Sequence, residues 1–84
     1  MFYAYILRSK KDFQLYIGST NDLRKRFEEH NAGRVFSTRG RIPFELIYYE
    51  AYKAKEDAIK RELQLKKFKS AYGQLKKRII KSRI

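Results

Sequence analysis

Phe2 to Leu7 alternates, with Phe2, Ala4 and Ile6 on one face and Tyr3, Tyr5 and Leu7 on the other. Its aromatic and β-branched content favours a strand. Ser9 to Asp12 is polar and turn-like, and Leu15-Tyr16-Ile17 follows before Gly18, so two short strands are expected to pair as an antiparallel hairpin. That pairing sets Tyr5 and Tyr16 on neighbouring strands. From Thr20 the period becomes helical: Thr20 or Asn21 is placed to cap, Asp22 suits the positive helix N-terminus, and Leu23, Phe27 and His30 or Asn31 recur every three to four residues. Gly33 supplies the stop. Residues 33–43 hold two glycines, three arginines and the only proline with no clear period, which predicts an exposed loop. Phe44 to Tyr52 reads as a third strand, with Phe44, Leu46, Tyr48 and Glu50 on one side and Glu45, Ile47, Tyr49 and Ala51 on the other. A helix over about Ala54 to Lys67 carries Ala58, Ile59, Leu63 and Leu65 on one apolar arc, and Ser70 is placed to cap a third helix whose Tyr72, Leu75 and Ile79 face inward. The order β-β-α-β-α-α predicts an α/β (α+β) domain in two layers around a small sheet.

At 84 residues the chain has room for one compact domain, residues 1–84, and its 43% hydrophobic content is enough for one core. Cysteine is absent, which excludes a disulfide framework, a disulfide-linked partner, thiolate zinc sites and a cysteine nucleophile. No stretch approaches membrane-spanning length and Met1 to Arg8 lacks a basic leader, so the expectation is a cytoplasmic protein that does not enter the membrane. Charge narrows the partners further. Twenty-one basic side chains against nine acidic give a net +12, and residues 53–84 alone hold 12 of the basic and three of the acidic ones. Polyanions are the natural ligands of such a surface, and DNA or RNA fits it.

Among residues able to do chemistry, Glu62 stands out because helical geometry sets it between Ala58, Ile59 and Leu65 on the arc expected to face the core. It has two readings: an internal ion pair with Lys66, four residues on, or a metal ligand. A hard divalent ion needs only one or two carboxylates when water and phosphate oxygens complete its shell. Arg26 lies near the edge of the first helix's apolar stripe, where a guanidinium can reach a phosphate with two parallel hydrogen bonds. His30, the only histidine, reads from its place near a helix end as a solvated or capping side chain. Most of the seven tyrosines read as packing residues with the hydroxyl in water; Tyr5 and Tyr16 differ through their pairing.

The ordered segments Tyr3-Ala4-Tyr5-Ile6-Leu7, Leu15-Tyr16-Ile17-Gly18 and Asn21-Asp22-Leu23-Arg24-Lys25-Arg26-Phe27 resemble the motifs of the GIY-YIG endonucleases. Tyr48-Tyr49-Glu50 and Ala58-Ile59-Lys60-Arg61-Glu62-Leu63 resemble the strand and glutamate-bearing helix of the small stand-alone bacterial branch. The branch is related to the nuclease domain of the excision-repair nuclease, which suggests DNA repair. The resemblance covers about residues 2–70. It departs from the family pattern at Tyr3, where the first motif begins with glycine, and at Ser19, where the excision-repair domains carry lysine.

The resemblance implies a three-stranded antiparallel sheet flanked by helices, with Tyr5, Tyr16, Arg26 and Glu62 converging on one accessible concave face. Tyr5 would activate or orient the attacking water, Tyr16 would hydrogen-bond around the scissile phosphate and Gly18 would let the backbone approach closely. Arg26 would stabilise phosphate charge, Glu62 would hold Mg²⁺ or Mn²⁺, and His30 matches a histidine found in some members only. The implied activity is metal-dependent hydrolysis of DNA, selective for structure rather than sequence. Arg34, Arg39 and Arg41 of the loop, with Lys66, Lys69, Lys76 and Lys77, are the candidate backbone contacts. The rival reading is a non-catalytic DNA- or RNA-binding module on the same fold.

Overall fold

The computed structural model describes residues 1–83, with side chains described through residue 69. Its elements are β1 (Phe2–Ser9), β2 (Leu15–Thr20), α1 (Leu23–Asn31), a short 3-10 turn (Arg39–Arg41), β3 (Phe44–Tyr52) and α2 (Lys55–Arg83). Two helices rather than three flank the sheet, because α2 runs through Ser70 without a break. No proline interrupts that segment, and serine costs a helix interior only about 0.5 kcal/mol. The side chains of Tyr72, Leu75, Ile79, Lys76 and Lys77 lie outside the described residues.

The sheet is antiparallel with β1 central, in the order β2-β1-β3. The alternation of β1 is used on both faces. Tyr5 and Leu7 pack with Phe44, Leu23 and Phe27 under α1, while Ala4 packs with Ile17 and Leu65 under α2. The α1 face starts where Asp22 accepts from the backbone N–H of Lys25 at 3.1 Å, so Asp22 is the cap rather than Thr20 or Asn21. Gly33, at φ +74°, turns the chain out of the helix. The segment that follows is not simply an exposed loop, since Val35 and Thr38 are buried.

The third strand departs from strict alternation. A bulge opposite Ile6/Leu7 pairs Ile6 with Tyr48 but Leu7 with Leu46, leaving Ile47 as the extra residue. Phe44 and Leu46 therefore join the α1 face, whereas Tyr48, Glu50 and Tyr52 turn to α2. There Glu50 accepts from Arg61 Nε at 2.7 Å and from the hydroxyls of Tyr48 and Tyr52, tying α2 to β3. The Arg61 guanidinium, with the two tyrosine hydroxyls behind it, holds the Glu50 carboxyl down at about 2. The apolar arc of α2 is also narrower than the sequence predicts. Ala58 and Leu65 are buried, but Ile59 and Leu63 are exposed, because the stripe between them is occupied by Arg61 and Glu62 and their polar partners.

Candidate active site

Tyr5 faces Gly18 across the β1–β2 ladder. Its ring leans over β2, and a Cβ at position 18 would lie 2.5 Å from the hydroxyl oxygen and 2.7 Å from the adjacent ring carbon. Glycine is thus required there to leave room for the phenol rather than to permit an unusual backbone angle. The hydroxyl is 3.0 Å from His30 Nε2, and His30 Nδ1 is 2.8 Å from Thr38 Oγ1. Thr38 Oγ1 in turn lies 3.4 Å from the Val35 carbonyl, which can only accept. The chain is fully satisfied when Tyr5 donates to Nε2, Nδ1–H donates to Thr38 and Thr38 donates to Val35.

His30 is therefore neither solvated nor a cap. It is fully buried, with the Tyr16 ring 4.8 Å away and the rings of Tyr5 and Phe44 each at 6.0 Å. Burial, helped by the positive charge of Arg26, pushes its pKa down to about 4, so the imidazole is neutral near pH 7. Burial, and then the neighbouring Tyr16, push Tyr5 up to about 12 against the hydrogen-bonding guanidinium of Arg26. Tyr5 thus keeps its proton, and His30 keeps a lone pair to receive it.

Arg26 extends from α1 toward the Tyr5 hydroxyl and lies 3.6 Å from Glu29. It also lines a cleft of about 440 Å³ with Ser19, Asn21, Lys25 and Lys55. Glu62 arrives from the other side. Ser19 Oγ donates to its Oε1 at 2.7 Å and Lys66 Nζ is 2.7 Å from its Oε2, so the ion pair weighed from the sequence is present. Ser19 alternates with Gly18, and so points to the α2 face while Tyr5 and Tyr16 pack on the α1 face. The expected single concave face is thereby corrected: the groups approach the β2 edge from both sides of the sheet, and Tyr5 is buried rather than open. Glu62 still lies close enough to Tyr5 to help raise its pKa.

The cationic candidates divide. Arg34 and Arg39 are exposed, Arg39 lying 4.5 Å over the Phe36 ring, whereas Arg41 is tied to Asp12 at 3.0 Å and lies 5.5 Å from Phe44. Lys66 is held by Glu62, and Lys69 donates to the Leu15 carbonyl at 2.7 Å. Two partners escaped the sequence reading. Ser19 was placeable from strand alternation, but Thr38 sits in a segment with no period to point to it.

A profile of the GIY-YIG catalytic domain matches residues 1–77. The chain belongs to the GIY-YIG family. This GIY-YIG chain is 47% identical over 68 residues to the UPF0213 protein CPE1444 of Clostridium perfringens, covering 80% of itself and 72% of that relative. It is 45% identical over 69 residues to the UPF0213 protein SpyM50708 of Streptococcus pyogenes, covering 81% and 74%. The solution NMR structure of the UPF0213 protein BH0048 from Bacillus halodurans superposes with a TM-score of 0.51 at 36% identity, over 90% of this chain and 86% of that one. The fold is thus shared with that UPF0213 protein. Among the described residues no helix is long and apolar enough to cross a membrane.

Proposed function

We propose that this chain is an endonuclease-type phosphodiester hydrolase acting on DNA, selective for structure rather than sequence and dependent on a divalent ion. The observation that carries the reading is the Tyr5 hydroxyl, seated over Gly18, bonded to His30, faced by Arg26 and within electrostatic reach of Glu62. A tyrosine buried for packing alone needs one partner for its hydroxyl; this one has both a neutral buried base and a guanidinium there.

The donors around Glu62 suit Mg²⁺ or Mn²⁺. A carboxylate and the Ser19 hydroxyl are hard oxygen ligands, and among the described residues no group of three or more acidic, histidine or cysteine side chains exists to hold a metal by itself. Water and substrate phosphate would complete the shell. Once bound, the ion would supply Lewis acidity toward the phosphate and the leaving oxygen. The chain's own residues account for the proton. Water would form the new P–O bond as its proton moves to the Tyr5 oxygen and the phenolic proton passes to His30 Nε2; the bond to the leaving oxygen breaks, that oxygen takes a proton from solvent, and the imidazolium, a strong acid at a pKa of about 4, returns its own proton to solvent. Arg26 offsets the charge developing on the phosphate, and Tyr16 orders the ring cluster against which His30 is held.

One observation favours the rival reading of a binding module: both Glu62 oxygens already have protein partners. Glu62→Gln separates the two. The assay covers branched, nicked, duplex and single-stranded DNA with Mg²⁺, with Mn²⁺ and with chelator, alongside DNA affinity and thermal midpoint. The expected result is metal-dependent cleavage by the wild type, its loss in the variant, and unchanged or tighter DNA binding. Wild-type cleavage retained by the variant removes Glu62 from the chemistry. Binding with no cleavage of any substrate by the wild type establishes the module instead.

A further inference from the structure

Asn21 and Asp22 form a ridge between two depressions. On one side lies the cleft with Arg26, Lys25 and Lys55; on the other lies a groove of about 520 Å³ bounded by Tyr3, Tyr49, Leu46, Phe27 and Arg24. The two differ in chemistry. The cleft gathers three cations, Lys25, Arg26 and Lys55, against the two carboxylates of Asp22 and Glu29, so it keeps a net positive charge suited to a phosphate. The groove carries one cation and one carboxylate, Arg24 and Asp22, against a wall of aromatic and aliphatic side chains, so a phosphate gains nothing there. What suits it is a flat, uncharged ring with polar edges.

The aromatic wall is built for stacking. Tyr49 is 54% exposed despite its size, and it meets Tyr3 edge-on, with ring centroids 6.2 Å apart and planes at 63°, which leaves the Tyr49 side of the pair open to a third ring. The bulge at Ile47 sets this presentation, because it restores Tyr49 to the α1 face opposite Tyr5. The exposed Asn21 amide on the ridge can both donate to and accept from a base edge. Arg24 supplies a second planar group against which a base can rest.

We propose that this groove binds one unstacked nucleobase flanking the phosphate held in the neighbouring cleft. The preferred substrate is accordingly DNA with an unpaired nucleotide at the cleavage point. The proposal rests on the nucleic-acid reading above and adds the substrate class. A fully paired duplex keeps its bases stacked and leaves the groove empty, so it forgoes the contact.

The test is fluorescence anisotropy with single-stranded DNA, a duplex carrying one bulged nucleotide and a perfect duplex, all in chelator so that cleavage plays no part. Tyr49→Ala is expected to weaken the single-stranded and bulged DNAs about tenfold while leaving the perfect duplex unchanged, and Tyr49→Phe to bind as wild type. The salt dependence stays the same in both variants, since no phosphate contact is lost. A 2-aminopurine at the bulge should be quenched by the wild type and not by Tyr49→Ala. Equal binding of bulged DNA by wild type and Tyr49→Ala overturns the proposal, as does an equal loss on all three DNAs or a change in sedimentation marking the face as a self-interface. If the wild type binds no DNA at all, the nucleic-acid reading falls with it. If it binds but does not cleave with metal, only the enzymatic reading fails and the groove stands.

Discussion

His30 carries more of this protein than a lone histidine near a helix end promises. Buried and neutral, it receives one hydrogen bond and donates another, and protonation would replace the first with a second donor aimed at the Tyr5 hydroxyl. The pH dependence follows in sign. Folding lowers its pKa from 6.5 to about 4, so the unfolded chain binds more protons across that interval. Stability is therefore full above about pH 6.5 and declines as the pH falls toward 4, by at most roughly 3 kcal/mol. Thermal midpoints between pH 8 and 4 should show the decline in wild type and not in His30→Gln, which keeps a donor and an acceptor but does not titrate. Glu50, whose pKa falls from 4.5 to about 2, accounts for a separate loss at more acid pH. A decline that persists unchanged in His30→Gln assigns the effect elsewhere.

Among the elements, the hairpin between β1 and β2 carries a strained residue. Phe13 has φ +59° with its side chain 72% exposed, so it bears the left-handed penalty without packing in return. Asparagine tolerates that conformation, and Phe13→Asn is expected to stabilise by roughly 0.5–1 kcal/mol, read as a higher thermal midpoint at unchanged DNA affinity. An unchanged or lower midpoint would mean that the exposed ring has a stabilising contact. The three strands, α1 with its Gly33 stop, and the faces of β1 were legible in the sequence, because each rests on local signals. The face assignments of β3 were not. One extra residue inverts the alternation, and only pairing with β1 locates it. Helix α2 misled for a different reason: its inward stripe is half ionic, and the residues that make it so, Glu50 and Ser19, come from distant strands.

For the molecule as a whole, the net +12 predicts binding that weakens steeply with salt, by a slope of about −0.9 in log affinity against log salt for each phosphate neutralised on duplex DNA. Replacing the exposed Arg34 by alanine should reduce that slope by about one. An affinity that does not move between low and physiological salt would detach the charge from nucleic acid altogether. The candidate residues were legible in the sequence, but their arrangement was not. Motif order named Tyr5, Tyr16, Arg26 and Glu62, whereas burial of the phenol and the approach from two faces depend on which helix covers which side of the sheet. That two-sided assembly bears on synthesis. A ribosome emits Tyr5, Gly18, Arg26 and His30 well before α2, so a nascent chain that has already closed the hairpin and α1 still lacks the carboxylate. On the proposed chemistry the growing chain cannot cleave nucleic acid until α2 docks and brings Glu62 to the sheet.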